Sequence, residues 1–160
     1  MNRLVTGGAG FIGHNVVSRL ERRGHGVVVL DNETTYGIVP ESDMKALHEE
    51  RRAFYKAPLH KISLEDSEEN IKWMFRRYQP DIVIHMASFP RQKVVSANPR
   101  WGADVMMSGT MSILEAAKEA KVKRLVYISS SMVYGDFTQD IGEEDPCNPI
   151  GQYGIMKLAG

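Results

Sequence analysis

Apolar residues in this chain fall in short runs separated by longer amphipathic stretches, and the alternation repeats along its length. Arg3-Leu4-Val5-Thr6, Val27-Val28-Val29-Leu30, Asp81-Ile82-Val83-Ile84-His85-Met86 and Arg124-Leu125-Val126-Tyr127-Ile128-Ser129 are rich in aliphatic and β-branched residues. Such runs suit strands of a parallel sheet buried on both faces. His60-Lys61-Ile62-Ser63-Leu64 reads as a weaker strand between the second and third of these. His14 to Arg23 is amphipathic, and Ser42 to Arg52 reads as a short helix with Ser42 as its N-cap. A helix capped by Asp66 or Ser67 runs to about Tyr78, with Ile71, Met74 and Phe75 on one face and Pro80 as its stop. A loop with Pro90 and Pro99 precedes a long helix from about Trp101 to Ala120, and Gly151 to Gly160 begins a last one. Alternating strands and helices predict an α/β fold of the Rossmann type: a doubly wound parallel sheet with helices on both faces. The ligand crevice of such a sheet lies beyond the carboxyl ends of its strands, where Gly7, Asp31, Ala87 and Ser130 fall.

The first run feeds directly into Thr6-Gly7-Gly8-Ala9-Gly10-Phe11-Ile12-Gly13. The glycines fit G-x-x-G-x-x-G on Gly7, Gly10 and Gly13, or G-x-G-x-x-G on Gly8, Gly10 and Gly13. Either suits a strand that turns tightly into a helix whose N-terminal amides face a pyrophosphate. The second strand ends in Asp31, 18 residues after Gly13. That is close to the offset of about 20 residues for a carboxylate that accepts from adenosine ribose hydroxyls. A carboxylate there repels a 2′-phosphate, so the expected cofactor is NAD rather than NADP. Asn32 to Pro40, with the short helix after it, sits where an adenosine-side loop would be and reads as a surface excursion.

Composition narrows the partners. Lys+Arg and Asp+Glu are 20 each in 160 residues, so no net field favours nucleic acid or a membrane. No apolar run approaches the roughly 20 residues of a membrane span. The single cysteine, Cys147, excludes an internal disulfide and suits a reducing compartment. A soluble, cytoplasmic chain of one domain over residues 1–160 is expected, with no metal site.

Two later stretches add chemistry. Ser129-Ser130-Ser131-Met132-Val133-Tyr134-Gly135 follows the last strand, and Tyr153-Gly154-Ile155-Met156-Lys157 opens the last helix. Tyrosine and lysine four residues apart share a helix face. A phenol needs about 4 kcal/mol of phenolate stabilisation to act as a base near neutrality. A neighbouring ammonium and the positive nicotinamide ring can supply it. A serine hydroxyl at the strand end can bond both the phenol and the reacting oxygen. His85 reads as a satisfied buried histidine, and Met86-Ala87-Ser88 as backbone exposed to the cofactor.

Together these residues resemble the extended short-chain dehydrogenase/reductases, specifically the NAD-dependent epimerase/dehydratase family of nucleotide-sugar enzymes. The matching pieces are Thr6 to Gly13, Leu30-Asp31-Asn32, His85 to Ser88, Gly109-Thr110, Ser129 to Gly135 and Tyr153 to Lys157. The resemblance implies NAD held as a hydride shuttle, Tyr153 as base, Lys157 on the nicotinamide ribose and Ser130, with Ser131 as fallback, orienting the sugar. It implies cofactor contacts from Gly7, Gly10, Phe11, Ile12 and Gly13 in the loop, and from Asp31 and Asn32 at the second strand end. Ser63, Leu64, Met86, Ala87 and Ser88 complete that set, with Tyr153 and Lys157 at the nicotinamide end. It leaves room for a homodimer in the full-length form. Met106 stands where members usually have asparagine, and Ser63 where an acid often meets the adenine amine. Family chains are about twice as long, so the N-terminal part of a longer enzyme is expected. The substrate lobe and later strands are then missing, and the last strand is left as an apolar edge. A nucleotide-sugar epimerase is the preferred activity, because the T-D-E pattern of the 4,6-dehydratases is absent. A dehydratase or reductase of the same family, or a non-catalytic NAD-binding module acting with a partner chain, are the alternatives.

Overall fold

The computed structural model describes residues 1–160 except 35, 38, 66, 67 and 137–139. Five parallel strands form one sheet: β1 (Asn2–Thr6), β2 (Gly26–Asp31), β3 (Leu59–Lys61), β4 (Ile82–His85) and β5 (Arg124–Tyr127). They lie in the order β3-β2-β1-β4-β5. The order reverses between β1 and β4, which is where a doubly wound sheet opens a ligand crevice. Side chains alternate across β1, with Leu4 and Val5 in different core clusters on its two faces. Val28 and Leu30 share the cluster of Leu4, whereas Val29 joins Val5. Both sheet faces are therefore packed around β1 and β2, as their aliphatic runs required, whereas β5 is not buried on both faces.

Helices α1 (Gly13–Arg22), α2 (Glu41–Arg52) and α3 (Glu68–Tyr78) connect the first four strands. The expected cap of α3 at Asp66 or Ser67 lies outside the described residues. Ser42 does not cap α2: Pro40 holds the cap position, and the Ser42 hydroxyl donates to the Asp43 carboxylate at 3.1 Å. The third strand is shorter and earlier than expected, because its partner ends. Val29, Leu30 and Asp31 pair with Leu59, His60 and Lys61, and β2 stops at Asp31, so Ser63 and Leu64 lie beyond the sheet. Similarly β5 stops at Tyr127, opposite His85, the last residue of β4.

The long helix expected over residues 101–120 is instead a broken series. Within the stretch expected to be a loop, α4 (Gln92–Ala97) forms, and α5 (Pro99–Ala103) starts on a proline, a residue suited to a first helical turn. A π-helical turn (Asp104–Ser108) then leads into α6 (Gly109–Glu119). The wide turn places both Val105 and Met106 in the core, at 2% exposure each. After β5, a 3-10 turn (Ser131–Tyr134) and α7 (Gln152–Ala159) complete the chain. As expected, β5 is an edge among the described residues, and Val126 and Ile128 are each 39% exposed.

Candidate functional site

The glycine loop leaves β1 at Gly7, whose φ of 70° lies in the left-handed region. Its N–H donates to the Leu30 carbonyl at 2.8 Å. A Cβ there would stand 2.7 Å from the Ala87 nitrogen, so the chain can cross the end of β4 only as glycine. Gly10 differs: a Cβ would meet only the Gly7 oxygen, at 3.2 Å, and the rest of its surroundings are open. Gly7 and Gly10 both line a cleft of about 290 Å³ beyond the strand ends. A Cβ on Gly8 would instead press on Val29 Cγ1 at 2.6 Å, inside the core. Of the glycines in the two readings, Gly7 and Gly10 border the cleft and Gly8 faces the core. Phe11 and Ile12 are exposed at the start of α1, where the first helical amides have no carbonyl of their own helix to bond.

Asp31 forms the next corner of the cleft. Its Oδ2 accepts from the Ala9 N–H at 2.9 Å and its Oδ1 from the Glu33 N–H at 2.8 Å. Burial pushes its pKa up, and the two amides draw it back down. A carboxylate has about four acceptor sites, so two remain for ligand hydroxyls. Asn32 Nδ2 donates to Ser63 Oγ at 3.1 Å, and Leu64 lines the cleft beside Ile62. Ser63 therefore supports Asn32, and the cleft wall itself passes to its neighbours. Across the cleft stand Met86, Ala87 and Ser88. The amides of Met86 and Ala87 are not free for a ligand, because both donate to Thr6 Oγ1 at 3.1 Å. Ser88 Oγ is buried without a hydrogen-bond partner among the described residues. The open side of Gly10, the amides opening α1 and the unspent acceptors of Asp31 fit a dinucleotide.

His85 locks this wall in place. Thr110 Oγ1 donates to the Met106 carbonyl at 2.7 Å and stands 3.0 Å from His85 Nε2. His85 Nδ1 is 2.6 Å from Thr6 Oγ1, the same oxygen that accepts the Met86 and Ala87 amides. One proton assignment satisfies the chain: His85 is neutral with its proton on Nε2, and the Thr6 hydroxyl donates to Nδ1. Burial, with a contribution from Lys157, lowers the His85 pKa to about 4, consistent with that state. The histidine expected from the sequence to be buried and satisfied is both. Met106, at the family's usual asparagine position, enters the chain through its carbonyl.

The second group gathers beyond β5. Ser130 caps the 3-10 turn, its Oγ accepting from the Met132 N–H at 3.2 Å. A Cβ on Gly154 would come within 2.5 Å of the Met132 oxygen; α7 therefore lies close on that turn and brings Tyr153 to Ser130. Burial pushes the Tyr153 phenol up, and the neighbouring Ser130 hydroxyl draws it down. Ser131 is exposed. Lys157 is 5% exposed, and burial lowers its pKa to about 8. Its Nζ donates to the Ile128 carbonyl at 2.7 Å and lies 5.2 Å from the centre of the Tyr127 ring. Without a bound nicotinamide the Tyr153 phenol stands above its ordinary value, while the Lys157 ammonium is held on the Ile128 carbonyl.

Sequence reasoning missed one wall. Met44, His48 and Arg51 of α2 line the cleft with Tyr36 and Val39, so the supposed surface excursion borders the site. The i, i+4, i+7 spacing of those three residues was the available signal. Among the described residues, no cluster of His, Cys, Asp and Glu could hold a metal, and no helix is long and apolar enough to cross a membrane.

The chain is 33% identical over 162 residues to a UDP-glucose 4-epimerase of Mycolicibacterium smegmatis, covering 100% of the chain and 49% of that relative. The crystal structure of a Thermus thermophilus UDP-glucose 4-epimerase in complex with NAD matches with a TM-score of 0.83 at 32% identity, covering 99% of this chain and 48% of that one. The Thermotoga maritima UDP-glucose 4-epimerase with UDP-glucose matches with a TM-score of 0.81 at 30% identity, covering 99% and 48%. The chain thus spans about half the length of the relatives it matches. The profile of the NAD dependent epimerase/dehydratase family matches residues 3–160, and with that profile running from β1 through α7 the chain belongs to this family.

Proposed function

We propose that the chain is the dinucleotide-binding part of an NAD-dependent nucleotide-sugar epimerase, with Tyr153, Lys157 and Ser130 as its catalytic residues. The observation that carries the reading is the meeting of Ser130 with Tyr153 at the end of β5, with Lys157 one turn along the same helix face. The UDP-glucose 4-epimerases among its relatives favour epimerisation over dehydration.

NAD would lie with its pyrophosphate over Gly7, Gly10 and the amides of Phe11, Ile12 and Gly13, its adenosine ribose on Asp31 and its adenine end toward Asn32, Ser63 and Leu64. Met86, Ala87 and Ser88 would form the opposite wall. When bound, this cofactor accepts a hydride from the sugar carbon and returns it to the opposite face. Tyr153 takes the hydroxyl proton as the carbon is oxidised and gives it back on reduction, so the sugar ends as its epimer with no net redox change. Ser130 holds the phenol and the reacting oxygen in line. The Lys157 ammonium has three donors; one is on Ile128 and two remain for the nicotinamide ribose and the developing phenolate.

The test is calorimetry with NAD, together with NMR of UDP-glucose incubated with the whole protein. The reading predicts NAD binding and accumulation of the C4 epimer without net consumption of NAD. NAD binding with no conversion of UDP-glucose or UDP-galactose would favour a non-catalytic module, and a dehydrated product would favour the dehydratase branch.

A further inference from the structure

Helix α2 has no buried residue, yet it is not equally exposed on all sides. Met44, His48 and Arg51 are half-buried, and all three line the dinucleotide cleft. Arg51 Nη1 donates to the Ala9 carbonyl at 3.4 Å, while the N–H of Ala9 donates to Asp31 Oδ2. The guanidinium and the carboxylate thus grip one residue of the glycine loop from its two ends. A ribose whose hydroxyls meet Asp31 has its 2′-position in the corner that Arg51 shares.

The other charges near that corner are already matched. Glu33 pairs with Lys61 at 2.5 Å and lies 4.0 Å from His48. Arg51 spends one of the five donors of a guanidinium on Ala9, and its planar fork suits phosphate oxygens. Arg91 is the other arginine lining the cleft, but it follows β4, on the wall of Met86, Ala87 and Ser88. An acid at the end of β2 disfavours a 2′-phosphate, whereas an arginine nearby accommodates one; this corner contains both.

We propose that Arg51 is a cofactor-specificity residue: its guanidinium, held beside Asp31 by α2, gives the ribose end of the site affinity for a 2′-phosphate. The preference for NAD over NADP is then set by the opposition of Asp31 and Arg51, not by Asp31 alone. The proposal rests on the reading that Asp31 meets the adenosine ribose.

Calorimetric titration of NAD and NADP into four proteins tests it: the unaltered protein, Arg51→Met, Asp31→Asn and the double variant. Asp31→Asn removes the charge but keeps an oxygen for one of the two amides. In Arg51→Met, NADP affinity should fall at least about ten-fold more than NAD affinity, the scale of one lost charged contact. Asp31→Asn should narrow the preference for NAD, and adding Arg51→Met should abolish most of the NADP affinity so gained. Arg51→Lys keeps the charge without the fork and should retain part of the NADP affinity, which separates charge from a loss of helix packing. Equal losses for NAD and NADP in Arg51→Met, or an unchanged NADP affinity, would overturn the proposal. An unchanged preference in Asp31→Asn would overturn the ribose reading beneath it.

Discussion

Lys157 is 5% exposed, and its ammonium donates to the Ile128 carbonyl at 2.7 Å. Burial lowers its pKa from 10.5 to about 8. Below pH 8 the folded and unfolded chains both carry the proton, and the folded state bears the full cost of burying the charge. Between pH 8 and 10.5 the folded state sheds the proton first, so this cost is progressively relieved and stability rises. At 1.36 kcal/mol per pH unit, the lowering corresponds to about 3 kcal/mol. Lys157→Met keeps an unbranched side chain and removes the charge, but it also removes the charged bond to Ile128, worth about 1.5–3 kcal/mol. The net expectation is a variant about 1 kcal/mol more stable than the parent at pH 7. That advantage should vanish or reverse by about pH 10.5. Urea denaturation at pH 7 and pH 10.5 measures both values. A variant less stable at pH 7, or a difference that does not change with pH, would show that burying this ammonium carries no such cost. The same substitution should weaken NAD binding and lower turnover, which would explain why a costly ammonium stands at this position.

Gly10→Val should abolish NAD binding with little loss of stability, since a side chain there extends into the cleft and meets only the Gly7 oxygen; unchanged NAD affinity by calorimetry in a folded variant would reduce the loop to a turn. The His85 ring should titrate near pH 4 by NMR. Because the unfolded ring takes up its proton at about 6.5, stability should fall as pH drops from 6.5 to 4, by about 3 kcal/mol from this group. A ring that titrates near 6.5 would contradict the neutral assignment. Ser130→Ala should lower turnover with little effect on NAD affinity, whereas Ser131→Ala should leave both nearly unchanged. The reverse result, read in steady-state rates, would move the serine's role to Ser131.

Much of this arrangement was legible because its signals are local. The runs at Leu4, Val28, Val83 and Leu125 each carry a strand, and the glycines at 7 and 13 stand where a tight strand-to-helix turn requires them. What escaped depends on neighbours. The third strand ends where β2 runs out of partners at Asp31, a limit that the sequence of residues 60–64 does not contain. The π-helical turn at Asp104–Ser108 changes which side chains face inward without a distinctive residue pattern, so one continuous helix was the natural expectation. Met44, His48 and Arg51 showed a weak helical stripe, but two of the three are polar, and a face directed at a cleft looks like a face directed at solvent. The Tyr153 and Lys157 spacing was plain. The engagement of the ammonium by Ile128 was not, because it depends on how closely α7 packs on the 3-10 turn.

If Tyr153 is the base, Tyr153→Phe takes away the group that accepts the sugar hydroxyl's proton. The change removes one oxygen and keeps the ring. NAD affinity and unfolding midpoint should therefore stay close to those of the parent. Loss of a general base typically costs about 10²–10⁴-fold in rate, so epimerisation of UDP-glucose by the whole protein should fall by at least about 100-fold. A folded, NAD-binding Tyr153→Phe variant that epimerises at a near-parental rate would contradict the account and leave Tyr153 as a packing residue.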